Sequence, residues 1–175
     1  MKSFYATLLL ILVVASPSLS QGGRDDKPAG YIPDRTNVNG FGARLVVVEN
    51  PRQFVQEWLK PEIPKIKRWS ATEVKRGDSL GAFIMFMGCQ TDARGLCDSE
   101  ADYIIYKPDG SIYDERKGQP IWKEGSPAPN LQLSRGSLEF RFGKDEPAGE
   151  YKVKARVSDL NANVSFELEM KLRLK

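Results

Sequence analysis

Hydrophobic and polar residues alternate with a period of two along the C-terminal part of the chain. The alternation is found in three segments, at residues 138–142, 151–157 and 164–174. It does not fit an amphipathic helix, because the apolar side chains would then spread around the whole cylinder. Strands with one apolar and one polar face are typical of antiparallel sheets. A hairpin of the last two segments through residues 159–163 would set basic side chains against acidic ones, namely Lys152, Lys154 and Arg156 against Glu167 and Glu169.

Earlier segments also predict strands. Residues 43–50 are rich in β-branched side chains, and residues 80–87 are apolar on both faces, which is typical of a central strand. Two further strands, at 101–106 and 112–115, are joined by a Pro-Asp-Gly turn at 108–110. Weaker patterns predict short strands at 66–74 and 120–122.

Residues 51–60 predict the one helix. Their apolar side chains recur at helical spacing, at Phe54, Val55, Trp58 and Leu59. Pro51 suits the first helical position, and Pro61 ends the pattern. The apolar stripe of this short amphipathic helix is expected to pack on the core.

Seven or eight short strands separated by turn residues predict an all-β fold, an antiparallel β-sandwich with one short N-terminal helix. A resemblance supports this fold class. The stretch 145–151 (DEPAGEY), followed by KVKARV, resembles the start of the penultimate strand of immunoglobulin-like domains. There a Gly and a Tyr form a corner, with the Tyr hydroxyl bonded to the upstream backbone. The turn at 107–111 (KPDGS) is similar to bacterial exported Ig-like and macroglobulin-type modules. The resemblance covers about residues 66–175 and implies an Ig-like sandwich, which by itself implies no function.

Residues 1–20 predict a cleavable signal peptide. An apolar run at 6–15 follows a single lysine, and the small residues Ser18 and Ser20 precede a predicted cleavage point before Gln21. The run is too short for a membrane span, which needs about 20 apolar residues. The alternative is an uncleaved anchor or a buried helix. We therefore expect a periplasmic or secreted protein with no membrane partner after cleavage, and expect it to be a monomer.

The rest of the chain predicts a tail and one domain. Residues 21–42 are rich in Gly and Pro and lack hydrophobic periodicity, so they predict a flexible tail. Its possible docking points are Tyr31, Ile32 and Phe41. Residues 43–175 predict a single β-sandwich domain, with the Ig-like part beginning at about Ile66.

The two cysteines, Cys89 and Cys97, predict a disulfide that closes a short loop. A redox pair is the alternative, but redox pairs usually have C-x-x-C spacing beside a helix N-terminus. A metal site would need more ligands than two thiols, and the chain contains no histidine. In an oxidising compartment, a structural bridge is the favoured interpretation.

Catalytic and cofactor motifs are missing from the sequence. Without histidine, Ser-His-Asp and Cys-His catalysis and most zinc sites are excluded. The acidic residues Asp98, Glu100 and Asp102 could serve an acid-only hydrolase only if two of them lined a cleft. Copper held by Met85, Met87 and Cys89 is a further alternative, weakened because the methionines share a strand face with Phe83. We expect no cofactor, no metal and no enzymatic activity.

These features predict a non-catalytic binding module that recognises a protein or glycan through loops or a sheet edge. A formal net charge of +3 gives no reason to expect nucleic acid as a partner. The predicted binding surface combines the loop 88–102 with the segment after 120; its residues are Thr91, Asp92, Arg94, Leu96, Ile121 and Trp122. The alternative function is an inhibitor or immunity-type protein that blocks an extracytoplasmic enzyme with the disulfide loop.

Two short sequence motifs are not used to predict function. The Arg-Gly-Asp at 76–78 matches a tripeptide read by adhesion receptors, but it stands where a turn is needed before a strand. The sequon at 163–165 matters only in a host that glycosylates proteins, and only if the turn is exposed.

Overall fold

The computed structural model describes residues 36–38, 40–60 and 70–175. In these ranges, no helix combines the length and the apolar character needed to cross a membrane. The described elements are, in chain order, β1 (Thr36–Val38), β2 (Phe41–Glu49), α1 (Pro51–Trp58), β3 (Glu73–Val74), β4 (Leu80–Met87), β5 (Ser99–Tyr106), β6 (Ile112–Trp122), β7 (Gln132–Phe140), β8 (Gly149–Asp159) and β9 (Val164–Leu174).

The strands form two sheets. Sheet A has the order β1-β2-β4-β7, and sheet B has the order β3-β9-β8-β5-β6. All neighbours are antiparallel except β3 and β9, which are parallel. The chain passes from one sheet to the other after β2, β3, β4, β6 and β7, and such connections between sheets are typical of immunoglobulin-like sandwiches. β1 and β3 are very short, so the seven long strands match the predicted number, and the predicted all-β Ig-like sandwich is confirmed.

The tyrosine corner implied by the resemblance is present. The Tyr151 hydroxyl donates to the carbonyl oxygen of Pro147 at 3.0 Å. The Tyr151 side chain is fully buried against the Phe142 ring, with 4.4 Å between ring centroids. Gly149, two residues earlier, has a φ of 147° and lies against Pro108, where a Cβ would come within 2.8 Å of the proline ring. The corner therefore fixes the path by which the chain enters β8.

The main core lies between the two sheets, and a second cluster lies on the outer face of sheet A. In this second cluster, Phe54 of α1 packs on Phe83 of β4 with ring centroids 5.3 Å apart. Met85 is fully buried in the same cluster. β4 therefore has apolar residues on both faces because one face meets sheet B and the other meets α1.

Strand β2 corrects two predicted boundaries. It pairs with β4 from Gly42 to Glu49, so the Ig-like sandwich begins well before Ile66. Residues 36–38 and 40–42 also belong to β1, β2 and the turn between them, so the predicted tail at 21–42 extended too far. Phe41 is 2% exposed and contributes to the core, which removes it as a docking point on a tail. The signal peptide, Tyr31 and Ile32 lie outside the described residues.

The outer face of sheet B is charged, as the alternation predicts. Lys154 lies opposite Glu169 and reaches its carboxylate at 3.5 Å and that of Glu167 at 3.8 Å. The other two predicted partners differ, because Lys152 lies opposite Lys171 and Arg156 donates to the Ser165 hydroxyl at 3.0 Å. The predicted hairpin through residues 159–163 is confirmed, and the predicted ion pairs are correct for Lys154.

Candidate functional site

Three connecting segments meet at one end of the sandwich, which we call the loop end. They are the β4–β5 loop (88–98), the β6–β7 loop (123–131) and the β8–β9 turn (160–163). Loops at one end of an Ig-like sandwich lie side by side because the strands that carry them are neighbours in the two sheets.

The predicted disulfide closes the first of these segments. Cys89 and Cys97 are bonded, with their Cα atoms 6.0 Å apart. Cys97 is only 2% exposed, and its backbone N–H donates to the Glu124 carbonyl oxygen at 2.8 Å. The bridge therefore lies at the base of the loop and joins it to the β6–β7 segment.

The interior of the disulfide loop is ordered by one carboxylate. Asp92 accepts hydrogen bonds from the backbone N–H groups of Arg94 at 2.9 Å and Leu96 at 3.0 Å. The Arg94 guanidinium also contacts it at 2.8 Å. These interactions, first the Leu96 N–H and then the Arg94 side chain, lower the pKa of Asp92. A left-handed glycine at position 95, with a φ of 79°, completes the turn.

The β8–β9 turn holds the disulfide loop from the side. Asp159 is 1% exposed, and its carboxylate accepts from the backbone N–H of Gln90 at 2.7 Å and of Ala162 at 3.2 Å. The Asn161 amide donates to the carbonyl oxygens of Gln90 and Leu96, each at 2.9 Å. The two sides of the disulfide loop are thus fixed to one turn.

The β6–β7 loop adds charged contacts on the other side. Lys123 lies 2.5 Å from the Asp98 carboxylate and 3.7 Å from that of Glu100. The hydrogen bond to Asp98 raises the pKa of Lys123. The arrangement leaves two of the predicted acid residues paired with a lysine on the surface.

The loop end presents two exposed leucines. Leu96, in the disulfide loop, is 37% exposed, and Leu160, in the β8–β9 turn, is 48% exposed. Beside them is a shallow cleft of about 200 Å³, lined by Asp92, Arg94, Leu96, Cys97, Asp98, Lys123 and Asn161. Leu96 thus stands among charges of both signs, with Leu160 on the adjoining turn, and exposed apolar side chains within a charged rim are typical of a protein-interaction surface.

Four of the six predicted surface residues lie in the disulfide loop, and the other two do not form an exposed surface. Asp92, Arg94 and Leu96 line the cleft, and Thr91 pairs with Cys97 at the base of the same loop. Ile121 is fully buried in the main core, so placing it on a binding surface was wrong; its side chain points inward from β6.

Trp122 is half-buried and largely covered. Its ring packs on Phe86 with centroids 5.7 Å apart, and its indole N–H donates to the Gly125 carbonyl oxygen at 2.7 Å. The Arg135 guanidinium lies 4.5 Å from the ring centroid and pairs with Glu124 at 2.9 Å. Trp122 therefore mainly supports the β6–β7 loop and is a poor candidate for contact with a partner.

Sequence reasoning missed the residues outside the disulfide loop that complete the site, namely Lys123, Asp159, Leu160 and Asn161. The segment 159–163 was interpreted only as a hairpin turn. Its signal was the Asp and Asn side chains, which bond readily to nearby backbone groups. Their actual partners lie 65 to 71 residues away along the chain, at a distance that local patterns do not reach.

The other candidate chemistries are not assembled at this end. Within the described ranges, no group of three or more His, Cys, Asp or Glu side chains could hold a metal ion. Met85 lies under α1, while the Cys89 sulfur is part of the disulfide. In the Arg-Gly-Asp turn, Arg76 donates to the carbonyl oxygens of Glu146 and Lys175 at 2.7–3.0 Å, which makes it a structural clamp.

Comparison with known proteins gives only distant similarities. No known family matches the sequence, and no curated protein matches it either. A Pyrococcus furiosus CARDB domain, solved in complex with di-metal ions, is 10% identical over 79% of this chain and 97% of its own, with a TM-score of 0.36.

Two further solved structures are similarly distant. A Niemann-Pick type C2 protein from the Japanese carpenter ant is 10% identical over 81% of this chain and 91% of its own, with a TM-score of 0.40. A family 123 glycoside hydrolase from Clostridium perfringens is 11% identical over 77% of this chain and 27% of its own, with a TM-score of 0.37. Likeness of this degree carries no information on ligand or activity.

Proposed function

We propose that this protein is an exported, non-catalytic binding module that recognises a protein partner through its loop end. The observation that carries the proposal is the exposed leucine pair, Leu96 and Leu160, on two segments that are fixed to each other by Asp159 and Asn161. A surface ordered before binding loses little conformational entropy when a partner docks.

The shape of the site favours a protein over a small molecule. Pockets for small ligands are concave and usually have volumes of about 300–1,000 Å³. The cleft at the loop end is shallow, with a volume of about 200 Å³, and an apolar side chain stands at its rim. Leu96 and Leu160 can enter a pocket of the partner, while Arg94 and Lys123 at the rim contribute electrostatic orientation.

Strand addition at the β6 edge is a less suitable mode of binding. Residues 114–117 of this edge strand are all charged, Gly118 has a φ of 62°, and Pro120 lacks a backbone N–H. Such features hinder the docking of another strand. The loops are therefore a better candidate for binding than the β6 edge.

Export is supported by the disulfide. Bridges persist in oxidising compartments and are rare where thiols are kept reduced. The Cys89–Cys97 bond, together with the signal peptide predicted for residues 1–20, supports a periplasmic or secreted location.

The test is affinity purification from the native secretome with immobilised protein and two variants. We expect the double variant Leu96→Asp/Leu160→Asp to lose its specific partner, with binding weakened by at least about tenfold. Leu59→Asp, at a leucine that is 77% exposed on the C-terminal side of α1, is the matched control and should retain the partner. Quantitative mass spectrometry compares the three eluates.

The outcome that contradicts the proposal is equal capture by the double variant, or equal loss in Leu59→Asp. If the captured partner is an enzyme, its turnover is measured with and without the module. Inhibition that disappears with the loop-end variant assigns the inhibitor function, and unchanged turnover assigns simple binding.

A further inference from the structure

A second cleft lies on the outer face of sheet B, at the end of the sandwich remote from the loop end. Its volume is about 360 Å³, within the range of small-ligand sites. It is bounded by the end of β5, the β5–β6 turn and the start of β8; the lining residues are Tyr106, Lys107, Pro108, Gly110, Glu150, Lys152 and Lys154. We refer to it as the lysine cleft.

The aromatic side chain that lines the lysine cleft is Tyr106, and Ile112 is its neighbour in the sheet, outside the lining. Tyr106 is half-buried on the outer face, and its hydroxyl forms no hydrogen bond to any described residue. Ile112 lies opposite it in the β5–β6 ladder and is 54% exposed, one of the few large apolar side chains so exposed in the described chain. An aromatic ring with a neighbouring aliphatic group offers a platform for a flat ligand that carries C–H groups.

The β5–β6 turn forms a firm wall of the cleft. Asp109 accepts from both the hydroxyl and the backbone N–H of Ser111, at 2.7 and 2.9 Å. Pro108 packs against Gly149 so closely that a Cβ there would come within 2.8 Å of its ring. The wall is thus fixed both within the turn and against the start of β8.

The lining of the lysine cleft carries three lysines and one carboxylate, and one of the lysines has no acidic partner in the described part of the chain. Glu150 is already paired with Lys171 at 2.9 Å, and Lys107 is paired with Glu146 at 3.0 Å. Lys154 shares Glu167 and Glu169 at longer distances. Lys152 has no ion pair with any described residue, and Lys171, which lies directly opposite it, is the lysine that Glu150 neutralises.

We propose that the lysine cleft binds an acidic saccharide, with the carboxylate of a uronic acid on Lys152 and a sugar face on Tyr106. The free ammonium supplies a charge-assisted hydrogen bond, and the free Tyr106 hydroxyl can bond to a ring substituent. The Tyr106 ring distinguishes this ligand from a simple inorganic anion, which would gain nothing from contact with an aromatic face.

The test is NMR titration of the folded protein with trigalacturonate, its methyl ester and a triglutamate peptide. We expect trigalacturonate to shift the amide signals around Tyr106 and Lys152, and Lys152→Gln and Tyr106→Ala each to weaken it by about tenfold. Lys117→Gln, at an exposed lysine on the β6 edge, is the matched control and should change the affinity by less than about twofold.

Three results overturn the proposal. They are no shifts in the lysine cleft up to about 10 mM trigalacturonate, equal binding of the uncharged methyl ester, or tighter binding of the peptide. Unchanged thermal unfolding of the two cleft variants, which alter exposed or half-buried side chains, shows that a loss of binding does not reflect a loss of fold.

Discussion

The two ends of the sandwich are ordered by different means. At the loop end, a disulfide and polar side chains fix backbone segments that would otherwise be independent, with Asp159 and Asn161 at the centre. At the opposite end, aromatic rings pack on one another, and Tyr151 and Arg76 attach the connecting segments to them. The first arrangement orders a surface, while the second buries apolar area. Substitutions at the loop end should therefore change recognition, and substitutions at the aromatic end should change stability.

The largest effect is expected at the aromatic end. Phe142→Ala removes a fully buried ring that contacts Tyr113, Phe140 and Tyr151. The free energy of unfolding should fall by about 3–5 kcal/mol because the substitution leaves a cavity. Urea denaturation measures the loss. Partner capture at a temperature where the variant is still folded should be unchanged, and a parallel loss of capture in the folded variant would contradict the separation of the two ends.

Removal of the disulfide should affect both properties. The variant Cys89→Ser/Cys97→Ser is expected to lose about 2–3 kcal/mol of unfolding free energy, because a short loop is no longer closed in the unfolded chain. Partner affinity should fall more than this loss of stability explains, since the free loop must be ordered on binding. Calorimetric titration of the folded variant with the captured partner measures the affinity. Retention of full affinity would show that Asp159 and Asn161 are sufficient to order the loop.

A smaller and more local effect is expected at Asp159. The Asp159 carboxylate accepts from two backbone N–H groups, those of Gln90 and Ala162. Asp159→Asn replaces one of the two carboxylate oxygens with an amide NH₂, so one of these N–H groups loses its acceptor. The cost should be about 1–2 kcal/mol. Amide hydrogen exchange should accelerate at Gln90 or Ala162 and stay unchanged in the ladder between β8 and β9. Acceleration throughout that ladder would indicate a general loss of stability instead.

The smallest effect concerns the ionisation of two buried tyrosines. It does not change the free energy of unfolding at neutral pH and appears only in alkaline solution. Burial, and then the nearby Glu146, raise the pKa of Tyr151 to about 12, and burial also raises that of Tyr103. The unfolded chain ionises its tyrosines near pH 10. Stability is therefore fully present below about pH 10 and is lost as the pH rises towards the folded-state value. Tyr151→Phe should show a shallower loss between these values in thermal unfolding, and an unchanged slope would contradict the assignment to Tyr151.

The strength of local patterns explains how much of the fold could be predicted. The bounds of β4 and β9 agree with the predicted segments because a wholly apolar run and a strict alternation leave no ambiguity. β6 joins the two strands predicted at 112–115 and 120–122, since the polar residues 116–119 between them on this edge strand carry no period of two. β2 belongs to the sandwich because it pairs with β4. The two strands are separated along the chain, so local patterns could not predict that they pair.

The sequence predicted only the part of the candidate site that a single short segment of the chain forms. The disulfide identified one loop of the loop end because two cysteines in a short stretch specify their own pairing. Leu160 and Lys123 joined that loop through the topology of the sheets. Ile121 was misplaced because a short apolar segment beside a loop has the same pattern whether its side chain points inward or outward.

The contacts that hold the disulfide loop have a consequence for how its sequence can vary. The hydrogen bonds from Asp159 and Asn161 to the disulfide loop are made with backbone atoms of Gln90 and Leu96. Side chains on the loop can therefore change while its path over the sandwich is kept. Apart from the two bridged cysteines, Gly88, and the turn residues Asp92 and Gly95, the loop is open to new contact residues. Diversification of recognition in this scaffold requires few changes and no refolding of its frame.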